Sequence, residues 1–315
     1  MVTIVIPNYN GIDHLDECLN SLRNQTLKLF QILVVDNGST DSSVAFIENN
    51  YPEVKLIKLN TNVGFSKAVN KGIKYAIEEF KSQYIILLNN DIKCSNSFVE
   101  EMIKGFVSEE VGSVASKMLN YFQNSIIDNA GDFIKKMGSP FARGHGEKDN
   151  GQYNTPEFVF GACAGAAIYK AEVFNDVGFF DEDFFAYYED VDFSFRLQLF
   201  GYKCFYNPKA ICYHKRGATT RHYPGYQVEL CEKNLIALRV KNYPLRLLVL
   251  WKLFFTIARV KRYIGFLFSN EPSLFLSAMK GYFKGNLELW KSFRKRYYIQ
   301  KNVKVNYDYI KSLFQ

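Results

Sequence analysis

Residues 2–11 read V-T-I-V-I-P-N-Y-N-G, residues 30–41 F-Q-I-L-V-V-D-N-G-S-T-D, and residues 84–91 Y-I-I-L-L-N-N-D. Each is a short apolar, β-branched run that stops at a cluster of Asn, Asp, Gly or Pro. That is the pattern of a buried strand ending in a turn. Between these runs the period changes. Residues 13–25 carry Leu15, Cys18, Leu19 and Leu22 at helical spacing, with Asp13 as the expected N-cap. Residues 41–49 and 64–80 read as further helices, and 54–59 as another strand. Alternation of this kind predicts right-handed crossovers and a mainly parallel sheet in an α/β fold. Ligands of such sheets bind beyond the carboxyl ends of the strands. The polar clusters at 7–11, 36–41 and 89–91 fall there. No G-x-G-x-x-G follows a strand and no G-x-x-x-x-G-K-[ST] occurs, so the common dinucleotide fingerprint and the P-loop do not explain the sheet.

The second half is less regular. Residues 120–157 are rich in Gly, Asn and Asp and read as a long loop excursion. Residues 161–165, G-A-C-A-G, precede a strand, where small side chains leave room for a ligand. Residues 184–196, F-F-A-Y-Y-E-D-V-D-F-S-F-R, form a dense aromatic and acidic block, with Arg196 spaced to pair with Asp192 on a helix. A strand is expected at 210–213, ahead of His214.

Charge is uneven along the 315 residues. Residues 1–232 hold 22 Lys/Arg against 29 Asp/Glu, whereas residues 233–315 hold 17 Lys/Arg against 3 Asp/Glu, a net of +14. A basic tail points to an anionic partner. Its cations alternate with Phe, Tyr, Leu and Trp, which favours an anionic membrane surface over nucleic acid. The apolar stretch 245–258 is broken by Arg246 and Lys252, so an interfacial helix is expected and not a spanning one. The six cysteines are scattered without a C-x-x-C pair, and residues 1–11 lack the regions of a signal peptide. Both observations lead to the expectation of a cytoplasmic protein with reduced thiols, peripherally associated with the inner face of the cell membrane.

Several of these segments occur together and in order. I-V-I-P-N-Y-N-G at 4–11, V-V-D-N-G-S-T-D at 34–41, N-V-G-F-S-K-A-V-N-K-G-I at 62–73, L-L-N-N-D at 87–91 and the acidic block resemble family-2 glycosyltransferases. The resemblance covers about residues 1–220, and its rhamnosyltransferase-like branch is the nearest in pattern. It implies the GT-A nucleotide-diphospho-sugar transferase fold over 1–225, with a helical basic extension over 226–315. It implies an inverting hexosyltransferase using a pyrimidine donor, dTDP-rhamnose or a UDP-sugar, and a divalent metal, Mn²⁺ or Mg²⁺. The acceptor would be a glycan or a polyprenyl-linked glycan in cell-surface polysaccharide synthesis; a protein or soluble acceptor is the alternative.

The resemblance also assigns roles. Asp36 would accept the pyrimidine ring N–H, beside Pro7, Asn8 and Tyr9. Asn62, Gly64, Asn70 and Asn90 would approach the nucleotide, with the helix after Gly64 offering its N-terminal N–H groups. Asp91 matches the last position of the D-x-D metal motif, although Asn89 stands where the family more often has Asp. His214 would complete the metal site, and Lys215 and Arg216 would face the diphosphate. Asp190 would be the catalytic base, Glu189 would orient the acceptor, and Asp192 would be a structural partner.

Overall fold

The computed structural model describes residues 1–136, 138–216, 224–269 and 271–315. The first half alternates as the sequence predicts: β1 Val2–Asn8, α1 Ile12–Arg23, β2 Phe30–Asp36, α2 Ser43–Asn50, β3 Lys55–Lys58, α3 Phe65–Glu78 and β4 Tyr84–Leu88. There follow β5 Ile92–Cys94, α4 Phe98–Lys104, β6 Val111–Asn120, β7 Ile127–Asn129, β8 Asp132–Ile134, β9 Pro140–Ala142, β10 Glu157–Val159, β11 Ala166–Lys170, α5 Glu172–Val177, α6 Glu189–Leu199 and β12 Lys203–His214. The rest is helical: α7 Pro224–Asn242, α8 Leu245–Leu250, α9 Lys252–Leu267, α10 Ser273–Leu287, α11 Leu289–Lys301 and α12 Tyr307–Ser312.

The main sheet runs β10-β12-β6-β11-β4-β1-β2-β3, with β5 added to β12 and β7 to β6. The contiguous set β4-β1-β2-β3 is parallel, as is β6 with β12; β11 lies antiparallel between β4 and β6. Strand side chains alternate between two buried layers, as the pleat requires. Ile4, Ile6, Val34 and Leu88 face Leu15, Leu19 and Leu22 of α1. Val5, Val35 and Leu87 face Ala68, Val69 and Ile73 of α3.

Three local expectations change. Helix α1 starts after Gly11, and Asp13 lies in its first turn without capping it. A carboxylate there complements the helix dipole instead. Residues 120–157 are not one loop: β7 continues the sheet, and β8 pairs with β9 in a separate two-stranded piece. The strand before His214 begins at Lys203 and runs for 12 residues.

The C-terminal helices share a core with the sheet. Leu235, Leu238, Tyr243, Phe255, Ile299 and Phe314 belong to the same apolar cluster as Val5 and Phe195. The chain end is tied in too, with Gln315 N donating to Ile134 O at 2.9 Å.

Candidate active site at the carboxyl edge of the sheet

The carboxyl ends of β1, β2, β4 and β12 and the amino end of β11 meet on one edge. Here the predicted nucleotide residues form a closed polar network. Asn8 Nδ2 donates to Asp36 Oδ1 at 3.0 Å and to Ser39 Oγ at 3.2 Å. Ser39 N donates to Asp36 Oδ2 at 3.0 Å, and Asn90 Nδ2 donates to Asn8 Oδ1 at 2.7 Å. These bonds fix the Asp36 carboxylate as an acceptor with lone pairs to spare. Pro7 and Tyr9 flank Asn8 and are partly exposed. Gly11 closes the turn because nothing larger fits: an added Cβ would lie 2.0 Å from Asn90 Nδ2.

A second polar loop precedes α3. Exposed Asn62 accepts through Oδ1 from Gly64 N at 3.0 Å and from Asn37 Nδ2 at 3.0 Å. Gly64 has φ +87°, and a Cβ there would lie 2.6 Å from Phe185 O. A side chain at this position would thus be strained and would also strike the segment that leads into α6. Asn70 does not join the edge. Its amide donates to Phe180 O at 2.8 Å and accepts from Phe180 N at 3.0 Å, which ties α3 to that segment. Lys67 is exposed.

Asp91 and His214 come together, with His214 Nε2 3.4 Å from Asp91 Oδ1. The other ring nitrogen, Nδ1, is 2.7 Å from Asp128 Oδ2. Burial opposes the ring's charge, but hydrogen bonds to Asp128 and Asp91 outweigh it and raise the pKa to about 9. Asp128 itself is held below the usual carboxylate range, its burial outweighed by His214 and Arg216. Asp91 Oδ1 is buried and sits at the long end of hydrogen-bond reach, 3.4 Å from His214 Nε2. A buried carboxylate oxygen so loosely engaged, opposite an imidazole whose far nitrogen is already held, fits a Mn²⁺-type ion with N and O donors once the ring gives up its Nε2 proton. Among the described residues no group of three or more His, Cys, Asp or Glu is placed to hold an ion. Phosphate oxygens would therefore have to complete the coordination. Lys215 and Arg216 are engaged within the chain, Lys215 with Glu17 at 2.8 Å and Arg216 with Asp128 at 3.3 Å.

Asp190 lies in the first turn of α6. Its Oδ1 accepts from Val191 N at 2.8 Å and its Oδ2 from Ala164 N at 3.2 Å. The same 161–165 turn reaches the β4 end, where Asn89 N donates to Gly165 O at 2.8 Å. Burial raises the Asp190 carboxyl above its ordinary pKa, against those two N–H donors. Glu189 is buried and its Oε2 has no partner. Burial, then the charge of Asp190, pushes its pKa well up. Of the two acids, Asp190 is the one with both oxygens fixed in direction. Burial and then the charges of Asp190 and Asp132 raise the Cys163 thiol pKa strongly, which disfavours its thiolate.

The approach to α6 is unusual. Tyr187 and Tyr188 both have positive φ, 70° and 66°, at a cost of about 1–3 kcal/mol each. The C-terminal region holds this turn. Asn234 of α7 donates to Ala186 O and Tyr187 O, each at 2.8 Å. Asp192 is a buried hub, as its expected structural role requires. It accepts from Arg196 Nε at 3.0 Å and Asn242 Nδ2 at 2.7 Å and pairs with Lys241 at 2.7 Å.

Sequence reasoning missed Asp128 and Asp132, both within the supposed loop. Asp132 accepts from Asn129 Nδ2 at 2.7 Å, and burial together with the Asp190 charge pushes its pKa up to about 8. The signal was present: each acid stands beside apolar residues, Ile126, Ile127, Phe133 and Ile134, which mark buried strands.

The glycosyl transferase family 2 model matches residues 3–178. The chain belongs to that family. Its sheet and flanking helices are those of GT-A transferases, and it is a glycosyltransferase. It is similar to the N-acetylglucosaminyl-diphospho-decaprenol L-rhamnosyltransferase of Mycobacterium tuberculosis, 26% identical over 70% of this chain and 78% of the relative. The mannosyltransferase PcManGT from Pyrobaculum calidifontis, solved with GDP-Man and Mn²⁺, superposes with a TM-score of 0.57 at 15% identity over 96% of this chain and 86% of that one. TarS of S. aureus gives 0.54 at 17% identity over 85% of this family-2 chain, which spans 44% of the TarS chain.

Proposed function

We propose that this family-2 enzyme moves a sugar, with inversion, from a pyrimidine nucleotide-diphosphate donor to a lipid-linked glycan during cell-surface polysaccharide synthesis. It would work peripherally at the cytoplasmic face of the cell membrane. The observation that carries the reading is the meeting of Asp36, the Asp91–His214 pair and Asp190 on one sheet edge. Asp36 and Asn8 would take the pyrimidine, with Pro7 and Tyr9 beside them. Asn62, Gly64 and Asn90 border the same space. Asp91 and His214 would hold Mn²⁺ or Mg²⁺, which supplies Lewis-acid help to the departing diphosphate. Asp190 takes the acceptor hydroxyl proton as that oxygen bonds to the sugar C1. The C1–O bond to the nucleoside diphosphate breaks, and the electron pair leaves with the diphosphate. Glu189, kept neutral by burial, would orient the acceptor.

The rhamnosyltransferase relative supports dTDP-rhamnose and a lipid-linked acceptor. A thermal-shift panel of dTDP-, UDP- and GDP-sugars with Mn²⁺ tests the donor, because only ligands of the folded state raise stability. Stabilisation by dTDP- or UDP-sugars is expected. Stabilisation by a GDP-sugar alone would remove Asp36 from its pyrimidine role. The anomeric configuration of the product, read by NMR, tests inversion.

A further inference from the structure

Among the described residues, 17 of the 23 large apolar side chains that remain exposed lie between Leu245 and Tyr298. Their densest row is on α9 and the residue pair before it. Leu250, Leu253, Ile257, Val260, Ile264 and Leu267 follow one another at alternating steps of three and four, and each is 48–68% exposed. Steps of three and four keep a row on one helix face. The opposite face is used inside the molecule. Phe255 is buried, and Arg259 and Arg262 reach Glu232 of α7 at 3.5 and 2.8 Å.

Much of the tail's positive charge is likewise paired with acids of the chain. Lys280 and Lys284 pair with Glu229, Lys233 and Lys291 with Glu288, and Lys295 with Asp181 and Asp183. The outward face of α9 therefore combines apolar side chains with exposed Lys252 and Lys261. No Asp or Glu occurs from residue 233 to residue 270.

We infer that this face of α9 seats in the interface of an anionic lipid bilayer through its apolar row, with Lys252 and Lys261 toward the headgroups. A helix of 16 residues is about 24 Å long, and no described helix is long and apolar enough to cross a membrane, so α9 lies along the surface. A second copy of the chain fits this face poorly, because it would bring cations to cations with no acid between them. An anionic surface complements both features. The sequence expectation was a basic, aromatic-rich helix in the interface; the exposed row on α9 gives that helix its apolar face. The inference deepens the reading of the acceptor as lipid-linked.

The test is flotation of the full chain with vesicles of phosphatidylcholine and phosphatidylglycerol in equal parts. The wild type is expected to stay bound in about 1 M NaCl, where the Debye length is only about 3 Å. The double variant Ile257→Glu/Ile264→Glu should lower the bound-to-free ratio on the order of 100-fold, about tenfold for each side chain. Both positions are exposed, and unchanged thermal melting confirms the fold of the variant. Full release of the wild type by salt, binding unaffected by the double variant, or a light-scattering dimer that the variant dissolves would each overturn the inference. Transfer to a short, water-soluble acceptor keeps the readings separate. It should be equal in wild type and variant, and its absence in both would count against the proposed reaction and not against the membrane face.

Discussion

At the carboxyl edge of the sheet, polar side chains face one another and bind one another: Asn8, Asp36 and Asn90 in one network, Asp91, His214 and Asp128 in the next. On the C-terminal helices the arrangement is reversed. Cations pair with the acids Glu229, Glu232 and Asp181, and apolar side chains face out. The first arrangement preorganises donors and acceptors for a polar ligand, with little to reorganise on binding. The second leaves apolar area in water, which costs about 25 cal/mol per Å² until something covers it. Contact between the two regions is not passive, since Asn234 and Asn242 of α7 support the turn and the helix that carry Asp190.

The division of labour breaks most visibly at Asp190. Asp190→Asn keeps shape but cannot accept a proton, so turnover should fall about 10²–10⁴-fold, while calorimetry shows donor binding near normal. Lost donor binding with an intact fold would move Asp190 into the nucleotide site. The next largest effect is expected at Asp128, which touches only the His214 side of the metal pair. Asp128→Ala should weaken Mn²⁺ binding, measured by electron paramagnetic resonance with dTDP or UDP present, about 10- to 100-fold. Unchanged Mn²⁺ affinity would leave Asp128 a folding residue.

Whether the helices serve the edge is tested by Asn234→Ala. Two lost hydrogen bonds at about 1 kcal/mol each should let the Tyr187–Tyr188 turn relax, lowering turnover roughly tenfold with donor affinity held. Equal loss of both would show that α7 supports the whole edge and not the turn alone.

The smallest effect is a pH dependence. The Asp132 carboxyl is raised to about 8 in the folded protein, against about 3.9 in an unfolded chain. Its neutral form therefore contributes stability that is complete below the unfolded value and is lost as pH rises through about 8. Asp132→Asn stays neutral throughout. From about pH 5 to about pH 9 the wild-type Tm should drop further than the variant's, by a few degrees; parallel curves would place the Asp132 proton elsewhere.

Much of the edge was legible because its residues end strands, and strand ends are written locally. Val35-Asp36-Asn37-Gly38 and Leu88-Asn89-Asn90-Asp91 each carry an apolar run and its stop. The partners of those ends were harder to read. Asp128 reaches His214 across 86 positions, and its neighbourhood in Gly, Asn and Asp masked two short buried strands. Asn70 shows the reverse error: on a helix that begins beside the nucleotide space, its amide is taken by Phe180 and Glu182. The tail's +14 was correct as a sum, but a sum does not say which way Lys284 or Arg262 points.

The left-handed pair Tyr187–Tyr188 also carries a consequence for the order in which the enzyme is made. Its support comes from Asn234, while Lys241 and Asn242 hold Asp192 on the helix that follows; all three come later in the chain than Asp190. The last strand of the sheet ends at His214, 20 positions before Asn234, so at about 5–20 residues per second the support of this turn is made roughly 1–4 s after the sheet's last strand. The turn that leads into Asp190 is thus the part of this edge that waits longest for its support.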